Sequence, residues 1–121
     1  MRGIVLFAHG SRDPEWARPL EAIRERVRQS RPEYPIELAY LDIMSPTLEE
    51  AVASLVAQGA LAVTVFPLFL AQGGHLRLDL PRLLDAIRTK HPHIPIALEP
   101  AVGDVPEIRE AIAGWILARA D

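Results

Sequence analysis

The 121-residue chain contains no cysteine and no asparagine. Without cysteine there is no disulfide framework, no thiolate metal site and no Cys nucleophile. Aromatic residues are few, at 6%. Lysine is almost missing as well: among thirteen basic residues only Lys90 is not arginine. The missing asparagine and the eleven prolines would suit a thermophile, although a GC-rich genome accounts for the arginine bias equally well. An excess of positive charge is also lacking. The formal net charge is −3 at pH 7, which argues against a dedicated nucleic-acid binder. Apolar runs are strand-sized, so none reads as a membrane-spanning helix. The run Ile4 to Ala8 is too short for the apolar region of a secretory leader. A cytoplasmic protein is the expectation. The length excludes a (β/α)₈ barrel, a repeat array and a two-domain enzyme. One domain over residues 1–121 is expected, with a real core, because half of the residues are hydrophobic.

What is present alternates between two patterns. Gly3 to Ala8 is a continuous apolar run, read as a strand buried on both faces. Trp16, Leu20, Ile23 and Val27 then recur at helical spacing within Pro14 to Gln29. Pro19 requires that helix to start near Glu15 or to kink. Pro35 to Ile43 reads as a second strand. Ser45-Pro46 reads as a helix cap and N1 proline ahead of Leu48, Val52 and Leu55, with Gly59 as the C′ residue. Ala60 to Leu70 is the third strand. A helix carrying Leu80, Leu83, Leu84 and Ile87 follows, then a fourth strand, Ile94 to Leu98. Asp104 and Pro106 open a last helix with Ile108, Ile112, Trp115 and Ile116. This β-α alternation with short loops implies right-handed crossovers and an α/β fold of three layers. The expected core is a doubly wound, four-stranded parallel sheet in the order 2-1-3-4, covered on both faces. Pro95 lacks a ladder N–H, which suits an edge position for strand four.

In such a sheet the ligand crevice lies beyond the carboxyl ends of the strands, where strand order reverses. Here that point falls between strands one and three, and each is followed by a histidine. His9 ends strand one in Ala8-His9-Gly10-Ser11, and His75 follows strand three in Gln72-Gly73-Gly74-His75. Adjacent strands lie about 4.8 Å apart, so the two imidazoles can face one crevice. Both adjoin glycines that admit close approach of a ligand. His91 and His93 flank Pro92 at the opposite end of the sheet and read as surface residues. Asp42 and Glu99 close strands two and four; a turn or cap role and a loop salt bridge are the plain readings of these two. Asp13 before Pro14 reads as an N-cap. Two imidazoles and a carboxylate would suit a borderline divalent metal. Arg12, Arg77 and Arg82 lie near the histidines, as an anionic ligand would require. Phosphate-binding and nucleophile-elbow fingerprints are absent.

Ala8 to Asp13, Ser45-Pro46-Thr47-Leu48, and Phe66-Pro67-Leu68-Phe69-Leu70 leading to Gly73-Gly74-His75, with Asp79 and Pro81 behind, together resemble the class II chelatases. The resemblance is to the short sirohydrochlorin cobaltochelatase form and to the related nickel and iron chelatases, and it runs along the whole chain. It implies insertion of Co²⁺, Ni²⁺ or Fe²⁺ into sirohydrochlorin, with the metal as substrate and no prosthetic group. It further implies that His9 is metal ligand and proton acceptor, and that His75 is the second ligand. Leu70, Ala71, Gln72, Gly73 and Gly74 would line the macrocycle, Ser45 would contact it, and Arg12 would meet its carboxylates. Asp42 stands where family members often carry Glu. Longer members face two such lobes across the tetrapyrrole, so a single lobe implies a homodimer. A non-catalytic tetrapyrrole or metal carrier on the same fold is the alternative. A phosphatase would carry Arg in place of Ala8, and a receiver module would end strand three in Asp rather than Leu70.

Overall fold

The computed structural model describes residues 1–120. Its four strands are β1 (Arg2–Ala8), β2 (Ile36–Tyr40), β3 (Ala62–Pro67) and β4 (Ile96–Leu98). All pair in parallel, in the order β2-β1-β3-β4. The expected order is therefore the observed one, with β4 at an edge. In register, Val5 of β1 lies between Glu37 of β2 and Val65 of β3. The helices are α1 (Arg18–Ser30), α2 (Leu48–Ala57), α3 (Gly74–Lys90) and α4 (Pro106–Leu117).

Side chains alternate across the sheet, so β1, β2 and β3 each feed two cores. Val5, Phe7, Val63 and Val65 form the larger core with Leu48, Val52 and Leu55 of α2 and Leu80, Leu84 and Ile87 of α3. Leu6, Ile36, Leu38 and Tyr40 point the other way, onto Ala17 and the half-buried Leu20 and Val27 of α1. A Schellman closure ends α2: Ala60 N–H donates to the Leu55 carbonyl, Gly59 N–H to the Val56 carbonyl, and Gly59 has φ +98°. Gly59 is thus the C′ residue, as its position suggested.

Several boundaries differ from expectation, each for a local reason. Pro19 falls in the first turn of α1, because Pro14–Ala17 form a separate 3₁₀ turn capped by Asp13. Ser45 is not the cap of α2. Thr47 is, since only Thr47 has a Glu three residues on: its hydroxyl accepts from Glu50 N–H, and Glu50 Oε1 accepts from Thr47 N–H at 2.8 Å. Ser45 and Pro46 lie in the preceding loop, joined by a cis peptide. Pro95 lies just ahead of β4 and contributes only its carbonyl, to Val63 N–H at 2.9 Å. β3 ends at Pro67, not Leu70. Thr47→Ala removes both bonds of this capping box, and a loss of about 1 kcal/mol is expected. It reads as a lower urea midpoint at unchanged slope.

The largest difference concerns α4. No residue of this helix is buried, and Trp115, Ile116 and Leu117 are more than half exposed. The α1 side of the sheet is consequently not fully covered. An apolar groove of about 850 Å³ remains there, lined by Leu6, Leu20, Ile23, Phe66 and Leu68.

Candidate functional site

The carboxyl edge of the sheet is built outward from β1. Leu41 N–H donates to the Ala8 carbonyl and Asp42 N–H to the His9 carbonyl, at 2.8 and 3.0 Å. On the other side Leu68 N–H donates to the Phe7 carbonyl at 2.7 Å. The backbone of His9 is thereby fixed by chain on both flanks of β1. Gly10 follows with φ +100°, and a Cβ placed there would lie 2.0 Å from the Asp42 carbonyl oxygen. Only glycine allows the chain to turn this closely under the β2 loop.

The His9 side chain is exposed, and its ring stands edge-on to Phe69, with centroids 4.5 Å apart. Phe69 is buried and makes a second edge-on contact with Phe7 at 5.6 Å. A residue after β3 therefore supports the histidine after β1. His75 is also exposed, in the first turn of α3, behind Gly73, which caps that helix without a side chain. Both histidines thus stand at the carboxyl edge, His9 just after β1 and His75 in the first turn of the helix that follows the adjacent β3. The N–H groups of that first turn have no partner within the helix, so they favour negative charge near His75.

Leu70 to Gly73 belong to the loop between β3 and α3, and Gly74 is the first residue of α3. Leu70 is 69% exposed. Arg77 Nη2 donates to the Gln72 carbonyl at 3.3 Å and steadies the loop. A Cβ placed on Gly73 or Gly74 would meet nothing within 4 Å, so packing within the chain does not require glycine there. Ser45 lies exposed in the loop after β2, and Arg12 and Arg82 are exposed.

The carboxylates behave differently from the imidazoles. Asp42 Oδ1 accepts from Ile43 N–H at 2.9 Å, closing a turn in which Ile43 has φ +70°. Its side chain serves its own loop, as the plain reading held. Glu99 has no ion-pair partner among the described residues, so the expected loop salt bridge does not form. It lines the apolar groove, and its N–H donates to the Val65 carbonyl. No three His, Asp or Glu side chains among the described residues gather into a metal cage. His91 and His93 border a depression at the opposite end of the sheet. Burial pushes the Tyr40 phenol above its ordinary range, Glu21 adding to the shift and Arg24 opposing it.

Phe69 is the site residue that pattern reading misses, because the apolar run Ala60 to Leu70 reads as one strand and hides it. Pro67 was the available signal: it has no N–H to carry the β1 ladder further.

A doubly wound sheet in this order, with two imidazoles exposed at its switch point, defines a chelatase-like α/β protein. The CbiX family profile matches residues 3–116, and the chain belongs to that family. It is 39% identical over 92 residues to the sirohydrochlorin cobaltochelatase of Methanocaldococcus jannaschii, covering 75% of this chain and 64% of that protein. It superposes on the crystal structure of a cobalamin-biosynthesis CbiX protein from Marinobacter aquaeolei with a TM-score of 0.83 and 32% identity, over 99% of this chain and 98% of that one. The sirohydrochlorin chelatase SirB from Bacillus subtilis subspecies spizizenii, solved with cobalt, gives a TM-score of 0.77 and 26% identity. That match covers 93% of this chain but 48% of SirB. No helix among the described residues is long and apolar enough to cross a membrane.

Proposed function

We propose that this protein inserts a divalent metal ion, Co²⁺ first among Co²⁺, Ni²⁺ and Fe²⁺, into sirohydrochlorin. The observation that carries the reading is the pair of exposed imidazoles, His9 just after β1 and His75 in the first turn of the helix that follows the adjacent β3, in a CbiX-family chain. Insertion forms bonds from metal to ring nitrogen and releases two ring N–H protons for each M²⁺. An imidazole suits both tasks, since its neutral form binds metal or accepts a proton near pH 7. His9 serves as ligand and proton acceptor, and His75 as second ligand. Two neutral ligands leave exchangeable positions on the ion, which transfer to the macrocycle requires. A cage of four strong ligands would retain it.

Leu70, Ala71, Gln72, Gly73 and Gly74 form the wall against the macrocycle, where the open space at Gly73 and Gly74 admits a flat ring. Ser45 contacts the ring from the β2 loop. Arg12 meets peripheral carboxylates, for which guanidinium geometry is suited. The metal is a substrate, and no prosthetic group takes part. The protein works in the cytoplasm as a homodimer, so that a second lobe covers the other side of the ring.

Single-turnover mixing with sirohydrochlorin and Co²⁺, followed by the visible spectrum of the macrocycle, tests this reading. Insertion faster than in buffer is expected. Binding of the macrocycle without acceleration would replace the chelatase with a tetrapyrrole carrier.

A further inference from the structure

The loop that joins β2 to α2 holds a strained backbone position. Ile43 has φ +70°, and among the described residues every other positive φ belongs to a glycine. The left-handed region crowds Cβ against the following carbonyl oxygen, and a β-branched side chain fits it worst. Neighbouring hydrogen bonds impose the conformation. Met44 N–H donates to the Asp42 carbonyl at 2.7 Å, and Ile43 N–H to Asp42 Oδ1 at 2.9 Å. A bond that spans three residues around a central φ of this sign is the rare, strained form of that turn. The loop is tied down on both sides of it. Asp42 N–H donates to the His9 carbonyl at 3.0 Å, and Tyr40 N–H to the Pro46 carbonyl at 2.9 Å. Met44 packs half-buried on the α1 side of the sheet.

Packing within the chain does not account for isoleucine here. Ile43 is 60% exposed, and glycine or asparagine would hold the same turn without the crowding. Strained residues of this kind cluster at ligand-binding and active sites. The position agrees with such a role. The Asp42 carbonyl overlies Gly10, and the Asp42 N–H holds the His9 carbonyl, so Ile43 is the next residue along from the atoms that fix His9. Other exposed apolar side chains border the same edge. Leu41 follows β2, Leu70 follows β3, and Leu78 stands one turn beyond His75. Grouped apolar exposure of this kind marks an interaction site. β2 and β3 flank β1, so the loops that carry Ile43 and Leu70 leave the sheet about 10 Å apart, with His9 between them.

We infer that Ile43 is a substrate-binding residue, held in its strained turn so that its side chain lies against the apolar body of the macrocycle. It takes the β2 side of His9, and Leu70 takes the β3 side. This role rests on the sirohydrochlorin reading above and adds the contact that recognises the ring itself. The chemistry of the ligand divides the work. Peripheral carboxylates call for donors and cations, which Ser45 and Arg12 supply. The flat ring offers carbon, which those polar groups do not complement. An aliphatic side chain gains hydrophobic and dispersion contact there, and it neither ligates the metal nor competes for the ring protons. Branching at Cβ restricts χ1. A fixed turn and a stiff side chain leave little freedom to lose on binding, so the contact is preorganised.

Absorbance titration of the full-length, metal-free protein with sirohydrochlorin tests the role, with urea unfolding on the same preparations. Ile43→Gly relieves the turn and removes the side chain. Its urea midpoint is expected to hold or rise, while the dissociation constant rises about tenfold or more, the scale of burying an isoleucine side chain. Ile43→Asn suits the left-handed turn but is polar, and should bind as weakly as Ile43→Gly. Ile43→Val keeps the branch and drops one methylene, so its dissociation constant should rise about fourfold at most. Glycine and asparagine variants that bind as tightly as the unaltered chain would overturn the role and leave the metallation reading intact. A urea midpoint that falls together with affinity in Ile43→Gly would make the residue structural and overturn the role as well. So would an Ile43→Val protein as weak as Ile43→Gly. An unaltered chain that takes up no sirohydrochlorin would overturn both this role and the reading it rests on.

Discussion

Alanine in place of His9 or His75 is expected to slow cobalt insertion by at least about 100-fold, the scale on which a positioned acid–base group contributes. Stability should separate the two variants. His75 is exposed on the first turn of α3, so its loss should leave the melting temperature within about a degree of the original, as surface substitutions do. His9 packs edge-on against Phe69 at 4.5 Å, a contact worth about 0.5–1.5 kcal/mol, so His9→Ala should melt a few degrees lower. His9→Phe restores a ring against Phe69 while removing both nitrogens. It should recover the melting temperature and none of the activity. Single-turnover absorbance and calorimetry on the same preparations measure both quantities. A His9→Phe protein with the original insertion rate would remove His9 from the chemistry, and unfolding of His75→Ala would make that residue structural.

The features legible in the sequence are those that one periodicity or one backbone rule decides. Strand order followed from the β-α alternation and the doubly wound pattern such chains adopt; Pro95 lies ahead of β4 and does not bear on which strand is at the edge. The histidines were legible because each follows a buried strand, and strand ends are where a parallel sheet presents ligands. What was not legible depends on contacts between distant residues. The support of His9 by Phe69 joins two loops, and nothing local to either announces it. The start of α2 was misplaced because Ser45-Pro46 and Thr47 are both acceptable openings; Glu50 decides between them by completing the bonds to Thr47. Helix α4 shows a further limit. Its apolar stripe follows the helical period, as does the stripe of α3, which packs on its own sheet. Periodicity marks which face of a helix is apolar and does not say whether that face is buried.

Gly10 and Gly74 resemble one another in sequence, each beside a histidine, yet their alanine variants are expected to behave oppositely. At Gly10 the backbone has φ +100°, and an added Cβ would lie 2.0 Å from the Asp42 carbonyl oxygen. The left-handed conformation costs an L-residue about 1–2 kcal/mol. The neighbouring atom belongs to backbone, so it cannot swing aside as a side chain would. A total of about 3 kcal/mol is expected, within the range of strained-backbone substitutions. Relief requires the Asp42 loop to withdraw, which breaks the Asp42 N–H bond to the His9 carbonyl and moves His9. A displacement of about 1 Å at a reacting group can cost 100-fold, so Gly10→Ala should lose stability and insertion rate together. At Gly74 a Cβ meets nothing within 4 Å, and the position lies in the first turn of α3. Alanine there is a better helix former, so the urea midpoint should hold or rise slightly. Sirohydrochlorin binding, measured by absorbance titration, should weaken, because the new methyl group projects into the space assigned to the macrocycle. Unchanged binding by Gly74→Ala, with its stability intact, would remove this loop from the ring-binding wall.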